Sequence, residues 1–539
     1  MLSKAFLVFT LAGSLVQGYD RQKPLADQPK SPFTPAFNTF VVDSLNYLHV
    51  PGISIAVISG NETFTKGYGI ASLPNKNATP YTLYNTASTT KSFTAAAMSL
   101  LIDDSANSSN PLKWTTRVSS LIRDDFVLQD EYVTTHATLE DILSHRTGMP
   151  RHDLSYGKPG EGIRDLVRNL RNLPMTAEIR TKWQYCNMMF IVASYIIETL
   201  TGKWLGDFMR ERIWEPLNMT DTVFRVGDAD KELLATPYFW VNITGHYVAE
   251  KYLEGPQESG EGAIFSNVVD YSKYLRAMIY KASPISPAGH EALRSPRSII
   301  GPGLSFTGDL TYALGWQISI YRGEQIVAHG GAVRGFGTFM AYLPGREWGV
   351  VMMSNAMPAG NEVEAILFYK LIDGLLETPE KERLDWKTIA DEQNALIREF
   401  LANSRKRLFP DEPKEPIPLS LPLKSYTGIY TSIGYGSFNL TLVDATPSSD
   451  RSAWLNRKPK EILKLDVRDR LNWEAILEFE HISGEFFLAY GAIPKKDGSR
   501  EHAGDLKAEF KIGQDGTVKE MGLTLEPMMG EELIWFQKQ

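Results

Sequence analysis

Apolar and β-branched positions crowd residues 53–59 and 63–68, and Gly60-Asn61 separates them. That pattern predicts two strands joined by a tight turn. The period then changes. A polar, turn-like entry at Tyr84-Asn85-Thr86-Ala87 leads into the run Ser88-Thr89-Thr90-Lys91-Ser92-Phe93-Thr94-Ala95-Ala96-Ala97, which predicts a helix beginning near Ser88. Residues 139–143 predict another helix, and residues 188–200 a third, closed by Gly202. From 312 to 353 strand patterns dominate, at 325–328, 338–342 and 349–353 among others. Helices enclosed between an early hairpin and late strands predict an α+β domain whose sheet is assembled from both ends.

Residues 378–422 read as a bridge: an amphipathic, charged helix, then Phe409-Pro410-Asp411-Glu412-Pro413 and further prolines, a semi-rigid linker. Beyond it strand patterns alternate with turns to the C-terminus, as at 438–442, 486–489 and 508–512, and predict a small all-β domain, a barrel. The expected division is therefore a leader at 1–18, an α+β domain at 19–377, the linker, and a barrel domain at 423–539.

Composition adds a compartment. Lys4, the apolar stretch 5–16 and Val16-Gln17-Gly18 have the form of a signal peptide. Six sites fit Asn-x-Ser/Thr, at Asn61, Asn77, Asn107, Asn218, Asn242 and Asn439, where composition alone gives roughly two or three. A secreted, N-glycosylated protein is expected, with no membrane contact once the leader is removed. The length of 539 residues suggests two domains, and the net charge of −8 argues against nucleic acid as a partner. Cys186 is the only cysteine, so no internal disulfide and no cysteine-based metal site forms. No metal or cofactor is expected, and oligomeric state is left open.

Candidate chemistry begins at Ser88 and Lys91. Residues three apart share a helix face, so the Lys91 amine reaches the Ser88 hydroxyl and, unprotonated, accepts its proton. The first N–H groups of the helix favour a developing negative charge. Alone the motif is weak, because Ser-x-x-Lys arises about twice by chance in such a chain. A second copy, Ser155-Tyr156-Gly157-Lys158, lies in a Gly/Pro loop and is set aside. Two further motifs lift Ser88 above chance: Tyr185-Cys186-Asn187 before an apolar helix, and His329-Gly330-Gly331 after a short strand. Taken singly, Tyr185 suits a core residue, Asn187 a helix cap and His329-Gly330-Gly331 a tight turn.

In this order the three motifs resemble the serine β-lactamase and penicillin-binding-protein superfamily, in its branch of class C β-lactamases, D-aminopeptidases and family VIII esterases. Leu143-Ser144-His145-Arg146-Thr147-Gly148-Met149-Pro150, Ala313-Leu314-Gly315-Trp316 and Gly335-Phe336-Gly337 extend the resemblance, over roughly residues 36–375. The tail, with Tyr426-Thr427-Gly428-Ile429-Tyr430 and Gly434-Tyr435-Gly436, looks like the lipocalin-like barrel appended to some members. The resemblance implies a β-lactamase/transpeptidase-like domain, an antiparallel sheet flanked by helices plus an all-helical lobe, followed by the barrel. It implies that Ser88 is acylated and that Lys91 and Tyr185 share the proton traffic. It implies that Asn187 orients Lys91 or a substrate amide, and that the N–H groups of Ser88 and Ala332, beside Gly331, form an oxyanion hole. His329 stands where other members carry Lys or Trp.

His145 and His152 are read as structural, Trp183 and Trp316 as core or rim aromatics, and Tyr81 and Tyr84 as packing residues. Three departures from the family pattern stand out: Thr181-Lys182, Cys186, and Ser259-Gly260-Glu261-Gly262-Ala263-Ile264 in place of a simpler Ala-Gly-Gly. The expected function is a secreted serine hydrolase cleaving an ester or amide in a small-molecule or peptide substrate. The alternatives are an acyltransferase of the same fold and a catalytically inactive binding protein.

Overall fold

The early hairpin forms from Gly52–Ser59 and Glu62–Ser72, with Gly60 at φ 54° in the turn. A glycine meets that left-handed conformation without a Cβ clash. The structure, a computed structural model, describes residues 30–158, 160–242, 244–253, 259–303, 308–444, 460–468 and 474–539. The expected leader at 1–18 lies outside the described residues. The first strand pairs on its other side with Trp348–Ser354, from the far end of the domain. Among the described residues the sheet has nine strands. They run in the order Lys76–Asn77, Glu62–Ser72, Gly52–Ser59, Trp348–Ser354, Phe336–Leu343, Glu324–Val333, Gln317–Tyr321, Asp309–Tyr312, Ser298–Pro302, and each neighbouring pair is antiparallel.

Alternation along the central strands feeds two cores. Ile53, Ile55, Val57, Val350 and Met352 pack with the helices Pro35–Tyr47 and Ala359–Leu375 on one face. Ala56, Ile58, Val351 and Met353 face the helix Val268–Tyr280 and the helical lobe on the other. A period of two sends successive side chains to opposite faces, so these strands are apolar throughout. In the lobe, Thr90–Asp104 is buried from Thr90 to Leu101 and packs against Asn187–Thr201. A helix enclosed on all sides needs small side chains, which accounts for its run of alanines. Gly202, at φ 68°, ends Asn187–Thr201 by donating its N–H to the Glu198 carbonyl.

After Trp386–Ala402, whose Trp386 stacks on Tyr369 at 3.5 Å, the C-terminal region forms a closed barrel of eight strands among the described residues. Its last strand, Ile534–Lys538, pairs back onto its first, Gly428–Ser432. Tyr430, Phe438, Phe479, Phe487, Phe510 and Phe536 are buried in it. The barrel packs against the first domain. Lys251 and Arg334 reach Glu474 at 2.7 and 3.2 Å, and the buried Lys495 pairs with Glu250 across the contact.

The six sequon asparagines are exposed. Cys186 is buried, which pushes its thiol up to about 12 and disfavours the thiolate. Tyr84 is buried as expected, whereas Tyr81 is 54% exposed and packs into no core. No described helix is long and apolar enough to cross a membrane.

Candidate active site

Ser88 lies in the 3₁₀ turn Ala87–Thr89, immediately before the α-helix Thr90–Asp104. Ala87 is held at φ 45°, a left-handed conformation that costs a side-chain-bearing residue about 1–3 kcal/mol. Local bonds sustain it. The Ala87 N–H donates to Asn85 Oδ1 at 2.8 Å, Thr86 donates through N–H and hydroxyl to the Ile264 carbonyl, and the Thr89 hydroxyl donates to the Thr86 carbonyl at 2.8 Å. Between Asn85 and Lys91 only Ser88 reaches solvent.

Lys91 is fully buried. Its Nζ donates to Ser88 Oγ at 3.1 Å and to the Glu261 carbonyl at 2.8 Å, and lies 3.3 Å from Glu261 Oε2. Glu261 belongs to the short helix Ser259–Gly262, wedged against the lobe: a Cβ on Gly260 would stand 1.8 Å from Ser194 Oγ. The Glu261 side chain is 13% exposed; its burial raises the carboxyl above the usual range and Lys91 partly offsets this.

Tyr185 is half-buried between two cations, with Lys91 Nζ 4.9 Å and the Arg151 guanidinium 5.0 Å from its ring centre. The His145 ring lies 4.2 Å away. His145 Nδ1 accepts the Cys186 N–H at 3.0 Å, so the proton of the neutral ring sits on Nε2. Burial, Lys91, His329 and Arg151 hold His145 well below the ordinary histidine range. Arg151 pairs with Asp153 at 2.5 Å, and Asp153 Oδ1 accepts from Tyr156 at 3.1 Å and from Asn187 Nδ2 at 3.2 Å.

The third wall is the strand Glu324–Val333. Its pairing with Gln317–Tyr321 ends at Ala328, so from His329 onward its outer edge has no strand partner among the described residues. His329 Nδ1 donates to the Gly330 carbonyl at 2.7 Å and Nε2 accepts from Tyr312 at 2.9 Å. Burial and Lys91 push its pKa down to about 3, so the ring is neutral. Gly331 lies against the Ser88 turn: a Cβ there would stand 2.4 Å from the Thr86 carbonyl and 3.2 Å from the Ser88 nitrogen. The Gly331 carbonyl accepts from Asn361 Nδ2 at 2.9 Å. In a trans peptide the next N–H points the opposite way. The Ala332 N–H is thereby turned from Asn361 toward the free edge.

A family profile described as "Beta-lactamase" matches residues 37–372, more than half of the chain. The chain belongs to the beta-lactamase family. The unguisins hydrolase ungD' of Aspergillus campestris is 39% identical over 516 residues, covering 94% of this chain and 92% of that protein. The octameric penicillin-binding protein homologue from Pyrococcus abyssi has a TM-score of 0.57 at 21% identity, covering 93% of this chain and 99% of that one. A class C beta lactamase from Rhodobacter sphaeroides has a TM-score of 0.53 at 18% identity, covering 64% and 100%. Residues 412–538 match a domain of unknown function (DUF3471). As a beta-lactamase-family member with a named hydrolase among its relatives, the chain has the β-lactamase/transpeptidase-like fold followed by a closed barrel.

Ser88, Lys91, Tyr185, His329, Gly331 and Ala332 thus converge on one cleft of this beta-lactamase-family domain. Asn187, expected to orient Lys91 or a substrate amide, donates its amide to the carboxylate of Asp153, and its Oδ1 has no partner among the described residues. The side chain that holds Lys91 is Glu261. It lies in the stretch where the chain departs from the family's Ala-Gly-Gly, and an acid placed there was the available signal. Arg151, Asp153, Tyr312 and Asn361 carry no local motif. The second Ser-x-x-Lys is separate: Ser155 is buried against Met188, and Lys158 pairs with Glu161 at 3.2 Å. Beside the cleft, Trp183 also lines a cavity of about 380 Å³ with Arg146, Arg180, Lys182 and Arg297. Three of those cations are paired to Glu140 and Asp141.

Proposed function

We propose that this protein is a serine hydrolase that cleaves an ester or amide through an acyl-enzyme on Ser88. The observation that carries it is the 3.1 Å contact of the buried Lys91 amine with the solvent-reaching Ser88 hydroxyl, beside Tyr185 and a free strand edge. In this mechanism Ser88 Oγ adds to the substrate carbonyl carbon while its proton passes to the Lys91–Tyr185 pair. The oxyanion is held by the N–H groups of Ser88 and Ala332, each worth about 3 kcal/mol. The pair returns the proton to the leaving nitrogen or oxygen, and water then releases the acyl group by the same sequence. His329, being neutral, offers no cation where the family's lysine meets a substrate carboxylate, so penicillins are expected to be poor substrates.

Kinship with the unguisins hydrolase makes unguisins the first substrates to try. Wild type and Ser88→Ala are compared on unguisins, aryl esters, amino-acid anilides and a penicillin, with product masses. Turnover confined to wild type supports the assignment; equal turnover by Ser88→Ala overturns it. We also propose that the protein is secreted and N-glycosylated, supported by the exposure of all six sequon asparagines. A mass loss on peptide-N-glycosidase treatment of protein from its native host is the expected result.

A further inference from the structure

The tripeptide Arg151-His152-Asp153 joins the cleft to the barrel. Arg151 covers one side of Tyr185, and Asp153 fixes Arg151 while receiving Asn187 and Tyr156. His152, between them, is 1% exposed and held at φ 48°. Two of the three bonds made by its N–H and ring come from the barrel. Its N–H donates to Glu526 Oε2 at 2.8 Å, and its Nδ1 accepts from the Tyr435 hydroxyl at 2.6 Å, while Nε2 donates to the Pro174 carbonyl at 2.7 Å. Both barrel residues are themselves buried, at 1% and 2% exposure. Glu526 is steadied by the Met528 N–H at 2.9 Å. The Tyr435 turn is seated by Asn169, which donates to the Gly434 carbonyl at 2.8 Å; a Cβ on Gly434 would stand 2.8 Å from the Asn172 carbonyl. A left-handed backbone at a β-carbon-bearing residue persists only where its surroundings over-determine it, and here the barrel supplies much of that constraint.

We propose that Arg151 is the second cation that Tyr185 needs to act as a base, and that the barrel, through Tyr435 and Glu526, holds it in place. This assignment rests on the Ser88–Tyr185 chemistry proposed above. The other titratable groups around Tyr185 and Arg151 leave the role open to Arg151. His145 is neutral, as is His329 with its partner Tyr312; Lys91 is shared with Glu261, and Arg151 with Asp153, which also receives Tyr156. Tyr435 and Glu526 are positioning residues, acting through His152.

The test follows the rate at which a fluorophosphonate labels Ser88 from pH 5 to 10, by intact mass, in the full-length wild type, Arg151→Lys, Arg151→Gln and the double variant Tyr435→Phe/Glu526→Gln. Loss of a neighbouring cation disfavours the phenolate, so the pH at which labelling rises moves upward in Arg151→Gln, by about 1–3 units. Labelling at pH 7 slows about 10- to 100-fold. Arg151→Lys keeps the wild-type profile, and the double variant shifts in the same direction by less. An unchanged profile in Arg151→Gln, or equal slowing in both Arg151 variants without a pH shift, overturns the electrostatic role. An unchanged profile in the double variant overturns the part given to the barrel. If wild type takes no label on Ser88, the serine assignment itself fails and takes this one with it; label on Ser88 with indifferent Arg151 variants sinks only the latter. Should Arg151→Gln fail to fold, Arg151→Lys and the double variant still decide.

Discussion

Two cations flank Tyr185 at nearly equal distance, 4.9 Å for Lys91 and 5.0 Å for Arg151, and they are held in opposite ways. Lys91 stands three residues from Ser88 on one helical turn, so local geometry alone brings amine and hydroxyl together. Arg151 sits on a loop whose next residue is tied to side chains 283 and 374 residues further along. One flank is written in four consecutive residues; the other, in our proposal, also depends on the packing of two domains. The comparison teaches that the proposed centre would draw one half of its electrostatics from secondary structure and the other from tertiary structure. Damage to the barrel is then expected to reach one flank and spare the other.

Perturbing the local flank has the largest effect. Gly331→Ala puts a Cβ 2.4 Å from the Thr86 carbonyl and forces the Ser88 turn to move. Displacement of reacting groups by about 1 Å costs about 10²-fold in rate. Steady-state kinetics should show that loss with circular dichroism unchanged; a near-wild-type rate would mean the turn yields freely. Glu261→Gln comes next. It leaves the backbone bond to Lys91 but removes the carboxylate from a buried cation, and chemical denaturation should register a loss of about 1–3 kcal/mol. No loss would mean that water replaces the carboxylate.

Between the two flanks, His145 and His329 add a pH signature. Above pH about 6.5 both rings are neutral in folded and unfolded chains and contribute nothing. Below it the unfolded chain binds protons that the folded one refuses, so stability falls with pH, down to about 3 in the case of His329. The buried Glu364, whose pKa is raised, works in the opposite direction, so the readout is a difference between proteins. Relative to wild type, His329→Gln should flatten the stability–pH slope between pH 6 and 4 by about 1.4 kcal/mol per unit. Parallel slopes would contradict a neutral His329. The smallest effect is expected at Lys158→Ala, in the second Ser-x-x-Lys: activity unchanged, and stability altered by at most about 0.5 kcal/mol, because its pairing with Glu161 is partly solvated.

Legibility follows the same division. The hairpin, the Ala-rich helix, the Gly202 cap and the late strands were readable because period and capping are local. The Ser88, Tyr185 and His329 motifs were readable because each spans three or four residues. Glu261 was visible only as a departure in composition, since nothing in Ser-Gly-Glu-Gly says which helix it will touch. The tie of His152 to Tyr435 and Glu526 had no local signature at all. His152 reads as structural, and it is, but what it supports depends on a contact that only the packed barrel creates. The partner of Asn187 was hidden for a related reason: Asp153, which accepts from its amide, is 34 residues away in the chain.

The most direct test is intact-mass analysis and peptide mapping of the purified protein after exposure to a fluorophosphonate. The account predicts a single adduct, on the peptide containing Ser88, absent in Ser88→Ala. Folded, catalytically active protein that takes no adduct, or takes it on another residue, would contradict it.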